Sequence, residues 1–251
     1  MVYPGTYNEN ILFINKDITL SSSDPSDPVI VATTIIHGTG SDSVVQFFFL
    51  DVSSLEGFTI NGGFAGEGGG IDIYNSSPTI KNNTITNNTA ANQGGGIFIR
   101  DSSSPTIVNN TITDNTTVMS ESSGGGIYMD NSSPTIIGNA INGCSAMYGG
   151  GISMYSSSPT IKNNIIHYNF ATIFGGGVYM QDSSPTITDN TITDNTASSG
   201  GGILVHGGSP TIGGSDPSDT DNFNTICGND PDQVNSSYTY FNNYISSTCF
   251  D

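Results

Sequence analysis

An all-β fold, a parallel β-helix in which successive coils stack along one axis, is predicted for this chain by three observations. The motif Gly68-Gly69-Gly70-Ile71 returns at Ile97, Ile127, Ile152, Val178 and Ile203, at intervals of 26, 30, 25, 26 and 25 residues. Pro78, Pro105, Pro134, Pro159, Pro185 and Pro210 keep step at 27, 29, 25, 26 and 25. A period near 25 with short β-rich pieces is the mark of a β-solenoid. Within each period apolar residues alternate with polar ones, as in strands with one buried face. Finally, Gly makes up 32 of 251 residues, Trp is absent and hydrophobic residues are 34%. That is thin for a globular core but sufficient for a narrow channel closed by its neighbouring coils.

The elements follow in order. Residues 1–251 read as one elongated domain: N-terminal coils over 1–63, regular repeats over 64–214 and a C-terminal cap over 215–251. Residues 11–20 supply two strands. Ser23-Asp24-Pro25-Ser26-Asp27-Pro28 is a loop, as is Ser215-Asp216-Pro217-Ser218-Asp219-Thr220-Asp221. Ile35-Ile36 and Leu55-Glu56-Gly57-Phe58-Thr59-Ile60 fall one period apart, in phase with Ile80 to Ile85.

In a regular coil, Ile71-Asp72-Ile73-Tyr74 is the first strand and Ser76-Ser77 breaks it. Pro78-Thr79-Ile80-Lys81 is the second strand. Asn82-Asn83 makes a tight bend, because Asn tolerates left-handed geometry. Thr84-Ile85-Thr86 is the third strand, and the segment from Asn87 to the next glycine run is the closing loop. Three strands and three bends per coil give about eight or nine coils. The inward columns are Ile71 to Ile203, Ile73 to Val205, Ile80 to Ile212 and Ile85 to Ile226, with Met129, Met154 and Met180 as core filling. Asn83, Asn110, Asn139, Asn164 and Asn190 form an amide ladder. The tail from Cys227 onward, ending Tyr238-Thr239-Tyr240-Phe241-Asn242-Asn243-Tyr244, loses the repeat and caps the last coil.

The formal charge is −18, with Lys16, Lys81, Arg100 and Lys162 the only Lys or Arg. Too few cations are present to neutralise phosphates, which disfavours nucleic acid and anionic membrane surfaces as partners. An acidic surface favours solubility and divalent cations, Ca²⁺ among them. No stretch of about 20 apolar residues is present, so no membrane insertion is expected. The opening Met1-Val2-Tyr3-Pro4-Gly5-Thr6-Tyr7 already has folded-domain character, and the expectation is a chain that begins inside a longer protein. Cys227 and Cys249 stand 22 residues apart in the tail; a disulfide there suits an oxidising compartment. Cys144 is an odd third cysteine inside a repeat.

With Tyr3-Pro4-Gly5-Thr6-Tyr7-Asn8-Glu9-Asn10, the Leu55 to Gly63 segment, the GGGI, SSPTI and NNTI repeats and the ending Ile226-Cys227-Gly228-Asn229-Asp230-Pro231-Asp232-Gln233, the chain resembles right-handed parallel β-helix proteins of the pectin-lyase-like superfamily. It is similar above all to bacterial and archaeal surface or secreted proteins with such repeats. The resemblance implies a right-handed, single-stranded solenoid at an extracellular or cell-surface location. Members include lyases, hydrolases and epimerases of acidic polysaccharides, and also adhesins and stalks, so fold alone names no activity.

By that resemblance the first sheet is the working face. Its outward columns read Asp72, Phe98, Tyr128, Ser153, Tyr179, Leu204 and Tyr74, Arg100, Asp130, Tyr155, Gln181, His206. The rings of Tyr74, Phe98, Tyr128, Tyr155 and Tyr179 suit the C–H faces of sugars; strand propensity also explains them. Arg100 and Asp130 stand one coil apart, so a ladder ion pair is the simplest account. In a functional version Arg100 holds a substrate carboxylate, with Asp130 or His206 as base. Asn75, Asp101, Asn131, Ser156, Asp182 and Gly207 offer oxygens to Ca²⁺, with Asp101, Asp130 and Asp182 the candidate carboxylate ligands. The Gly-His-Gly and Arg-x-Lys of polygalacturonases are absent, and one arginine cannot supply the basic set of pectate lyases. His37, His167 and His206 fall on different sheets, with His37 and His167 expected at the surface. The Asn-x-Ser/Thr sequons are by-products of the repeat.

Three functions follow from this reading. The first is a non-catalytic module binding polysaccharide or a cell-surface glycan along the aromatic sheet. The second is a Ca²⁺-assisted polysaccharide lyase. The third is a passive stalk or a surface protein that self-associates through its coil ends.

Overall fold

The computed structural model describes residues 1–213, 223–231, 234–235, 243–246 and 249. It is a β-solenoid whose strands pair only in parallel with the corresponding strands of the coils before and after. Register is kept throughout the repeats. Ile97 lies beside Ile71 and Ile127, Ile107 beside Ile80 and Ile136, and Ile112 beside Ile85 and Ile141. The predicted inward columns are the core, and Ile71, Ile73, Ile80, Ile85, Met129, Met154 and Met180 are fully buried. In the first coils Phe13 and Phe47 replace the aliphatic pair and stack at 4.6 Å.

Five of the coils hold a fourth strand. Beside the ten-, nine- and eight-stranded sheets runs a fourth sheet of five: Phe64–Glu67, Thr89–Gln93, Thr116–Thr117, Ser145–Tyr148 and Phe170–Phe174. The segment predicted as a closing loop is therefore extended and paired. Its inward residues are Ala65, Ala90, Thr117, Ala146 and Ala171, small enough to let the backbone lie close to the channel. The Ser23 to Pro28 loop also leads into structure. Asp27 caps a short helix, Pro28–Thr33, accepting from the Val29 N–H at 2.8 Å. The helix is held to the ten-stranded sheet where the Thr59 hydroxyl donates to the Val31 carbonyl.

The bends rest on three buried polar ladders. In the predicted asparagine ladder, Asn83, Asn110, Asn139, Asn164 and Asn190 each donate a side-chain amide to the next asparagine, at 3.0–3.2 Å, and the column extends to Asn224. Each also donates to a core-strand carbonyl of the preceding coil. The residue before each rung takes positive φ, as at Asn82, Asn109, Asn163 and Asp189. A second ladder runs through Asn88, Asn115, Asn169, Asn195 and Asn229, with Cys144 in place of one asparagine. A third is made of serines: the N–H groups of Ser76, Ser132 and Ser157 donate to the hydroxyls of Ser103, Ser157 and Ser183. Buried backbone groups at a bend need such partners, and a repeat supplies them once per coil.

The glycine run is required by close approach. A Cβ on Gly95 would lie 2.5 Å from the Gly125 carbonyl oxygen and 2.6 Å from that of Thr116. Gly94 before it has φ of 65°, in the left-handed region.

At the C-terminal end, Asn224–Cys227 pairs with Thr191–Thr193 and then with Asn243–Ser246. Backbone pairing thus continues past the point where the sequence repeat fades. Cys227 and Cys249 are joined in a disulfide. The loop expected at Ser215 to Asp221 and the aromatic tail at 238–242 lie outside the described residues.

Candidate functional site

The nine-stranded sheet presents two outward columns, and the structure treats them differently. The column expected to be exposed is instead largely covered, along a corner strip, the groove, beside the ends of the five-stranded sheet. Asp72, Phe98, Ser153, Tyr179 and Leu204 are buried and Tyr128 is half-buried. Two things cover them. The left-handed glycine turns pass directly alongside: a Cβ on Gly124 would stand 2.6 Å from the Tyr128 Cβ, and one on Gly175 2.7 Å from that of Tyr179. The ends of the fourth-sheet strands supply Glu67, Tyr148 and Phe174, whose bridges keep them level with the groove. Phe98 and Tyr179, expected as exposed ligand platforms, are 4% and 7% accessible. They make the floor, while Tyr74 and Tyr128 are half-buried and Tyr155 is exposed.

The rings form a nearly continuous set. Phe98 and Tyr128 lie 5.5 Å apart, Tyr148 lies 5.6 Å from Tyr179 and 5.8 Å from Phe174. Between Tyr128 and Tyr179 the floor residue is the small Ser153. Burial, with Asp130 next, pushes the Tyr128 hydroxyl well above the usual phenol range. Tyr179 is raised for the same first reason, and its hydroxyl reaches His206 Nδ1 at 3.4 Å.

Arg100 does not pair with Asp130. The two are in register on adjacent strands, but the guanidinium turns back to the preceding coil. Its Nη2 donates to Asp72 Oδ2 at 2.9 Å and its Nη1 lies 3.4 Å from Glu67 Oε2. Two ring contacts favour that direction, since the guanidinium sits 5.0 Å from the ring centres of both Tyr74 and Phe98. A buried carboxylate at Asp72 also needs a cation more than a half-exposed one at Asp130 does. Even so, burial outweighs Arg100 and raises the Asp72 carboxyl to about 6. Burial, followed by the neighbouring Asp101, raises Asp130.

A family model described as "Right handed beta helix region" matches residues 48–216. The chain belongs to the right-handed beta helix family. Comparison with curated proteins and with solved structures gives no match. Family membership settles the hand of the coil and leaves the chemistry of the groove to its own residues.

In this right-handed β-helix the predicted site residues are brought together only in part. Tyr74, Phe98 and Arg100 converge, as do Tyr128 and Tyr179 with Tyr148. Asp130 and His206 are three coils apart, about 14 Å at the usual strand spacing, and make no acid–base pair. Asp101 adjoins Asp130, but Asp182 belongs to a coil two further on than that of Asp130, about 10 Å away. Among the described residues no group of three or more His, Cys, Asp or Glu can hold a metal ion. Contrary to the expectation of three different sheets, His37 and His167 share the ten-stranded sheet, because both end the strand that follows a bend in their coils; His37 meets Asn61 at 2.7 Å and His167 packs on Tyr168, away from the groove. Glu67, Tyr148 and Phe174 were not read as site residues. Their signal is position, since each closes a fourth-sheet strand immediately before a glycine run.

Proposed function

We propose that this right-handed β-helix is a non-catalytic glycan-binding module, with a polysaccharide chain lying along the groove between the nine- and five-stranded sheets. The observation that carries the reading is the run of partly accessible rings along successive coils, Tyr74, Tyr128, Tyr148 and Phe174, resting on the buried rings of Phe98 and Tyr179, with Tyr155 exposed at the rim. Ring faces suit the apolar faces of sugars, and a groove one coil per strand spacing matches an extended polymer better than a compact ligand. The commitment of Arg100 to two carboxylates speaks against a uronate lyase, which needs free positive charge beside its base. The Cys227–Cys249 disulfide supports an extracellular or cell-surface setting.

Tyr155→Ala and Tyr128→Ala should each weaken retention on a polysaccharide array at least tenfold together with unchanged melting temperature for Tyr155→Ala. Wild-type retention in both variants rejects the reading. A passive stalk is the second reading, favoured by the polar ladders, which stiffen the coil whatever the groove holds. It predicts a blank array.

A further inference from the structure

Two buried polar atoms at the N-terminal end of the groove have no partner, and they sit on two side chains that already hold each other. Asp72 is 4% exposed; its Oδ2 accepts from Arg100 while its Oδ1 accepts nothing. Arg100 spends Nη1 and Nη2 on Glu67 and Asp72, and its Nε donates to nothing. A buried donor or acceptor without a partner is costly, more so on a charged group, so two of them on side chains in contact call for an occupant. The missing partner must give a proton to a carboxylate oxygen and accept one from a guanidinium. A hydroxyl does both; a carboxylate has no proton to give and an ammonium has no lone pair to accept with.

The surroundings narrow the class. Tyr74 and Phe98 flank the guanidinium with ring faces. Asp72 and Glu67 carry two negative charges against the single positive charge of Arg100, and Asp42 adds to the negative field at Asp72. An anionic sugar would meet net repulsion there. The Glu67–Arg100 contact is long at 3.4 Å, and both side chains are about a third exposed. Exposed pairs of this kind contribute little, so Glu67 can swing aside to admit a ligand at little cost.

We infer that Asp72 and Arg100 form a hydroxyl-reading subsite of the groove, and that its ligand is a neutral hexose polymer rather than a uronate. The inference rests on the glycan-binding reading of the groove. Asp72 Oδ1 accepts from a sugar hydroxyl, Arg100 Nε donates to the same or the vicinal oxygen, and the half-buried Tyr74 packs against the ring's C–H face. Binding is consequently insensitive to salt, because no net charge is neutralised.

The test is calorimetric titration of the whole chain at pH 7.5 with cellohexaose, mannohexaose and hexagalacturonate, using wild type, Arg100→Lys, Asp72→Asn and Tyr155→Ala. Melting temperatures are recorded for each variant. Arg100→Lys keeps the charge and removes the Nε donor, so it remains informative where Asp72→Asn loses its fold. The expected result is that a neutral hexasaccharide binds, hexagalacturonate does not, and Arg100→Lys weakens binding by about tenfold or more, the loss of one charge-assisted hydrogen bond. Full neutral-sugar affinity in folded Arg100→Lys with loss in Tyr155→Ala overturns the subsite and leaves the groove. Preferred binding of hexagalacturonate overturns the sugar class. No binding of any hexasaccharide overturns the groove reading and the inference with it. A crystal structure with the neutral sugar bound, showing only a water between Asp72 Oδ1 and Arg100 Nε, overturns the subsite alone.

Discussion

Cys144→Asn should stabilise this protein, although it buries an extra amide at a fully buried position. The second polar ladder explains why. In its regular rungs one asparagine Oδ1 accepts two bonds from the preceding rung, the backbone N–H and the side-chain amide. These are 3.1 and 3.0 Å from Asn88 to Asn115, and both 3.0 Å from Asn169 to Asn195. At Cys144 the corresponding donors of Asn115 meet a sulfur. The thiol itself reaches only the Asn142 and Ile112 carbonyls, at 3.4 and 3.7 Å, and offers nothing to Asn169 Oδ1 beyond the backbone N–H. Burial pushes this thiol up to about 12, so it is a neutral, weak acceptor.

The substitution would add an acceptor for two Asn115 donors and two donors aimed at Ile112 O and Asn169 Oδ1. Space exists, because the facing residue is glycine. A Cβ at Gly126 would be 3.4 Å from the Cys144 sulfur, against 2.9 Å from the Asn88 amide at Gly70 and 3.0 Å from the Asn169 amide at Gly151. Four bonds at a net 0.5–1.5 kcal/mol each, partly offset by lost sulfur contacts and side-chain ordering, leave about 2 kcal/mol. For a chain of this size that is a rise of about 4–8 °C in melting temperature. Cys144→Ala removes the acceptor of the Asn115 backbone N–H and of one amide hydrogen, the amide keeping its bond to the Ile85 carbonyl, and should lower stability by about 1–3 kcal/mol. Thermal and urea unfolding of the three proteins gives the order Asn above Cys above Ala. A Cys144→Asn variant with native circular dichroism but wild-type or lower stability would refute the idea that the amide ladder is net stabilising.

Gly95→Ala should be severely destabilising, by several kcal/mol, because the new Cβ meets backbone oxygens of two neighbouring segments rather than movable side chains; retention of wild-type urea resistance would show that the coil spacing can yield. Asp72 should make stability fall as pH rises. Its folded carboxyl is raised to about 6 by burial, against an unfolded value of 3.8, so the native state holds the extra proton across that window. The contribution is full below about 4 and lost above about 6, a change of at most about 3 kcal/mol. Measured by urea unfolding at pH 4 and pH 7, the gap between wild type and Asp72→Asn should shift by that order in favour of the variant at pH 7; a pH-independent gap would mean that Asp72 is ionised throughout.

The core columns, the bends and the first asparagine ladder could be read from the sequence because stacking forces one residue type to recur at one register. Ile80, Ile107, Ile136 and Ile161 differ in nothing the channel can sense. The fourth sheet was hidden because its inward residues are alanines and threonine among polar neighbours, as in Thr89–Gln93, which carries no apolar alternation. The second ladder was hidden by Cys144, which breaks its run of asparagines. At the groove, period-two alternation says correctly that Phe98 and Tyr179 point away from the channel, yet it says nothing of what lies over them. Their burial comes from glycine turns and from Tyr148 and Phe174 of another sheet, contacts of tertiary origin. Register likewise placed Asp130 beside Arg100 but could not tell which neighbour the guanidinium would choose.

The same reasoning separates scaffold from site within the repeat. A position that must stack on its own copy above and below is held to one residue type, and the uniform columns here are structural: isoleucines inside, asparagines and serines at the bends, threonines at the head of the eight-stranded-sheet strands from Thr79 to Thr211. The groove columns obey no such constraint. Asp72, Phe98, Tyr128, Ser153, Tyr179, Leu204 and Tyr74, Arg100, Asp130, Tyr155, Gln181, His206 change at every coil, although each occupies one backbone environment. A passive stalk would gain from filling those columns uniformly, since like rings or hydroxyls pack well on themselves in parallel stacks. Instead the chain places its only arginine there, pairs it with a buried carboxylate that burial penalises, and leaves an acceptor and a donor unfilled. Departure from the repeat at a position the fold leaves free, with an energetic cost that no core contact offsets, is what favours the proposed glycan-binding reading over a passive stalk.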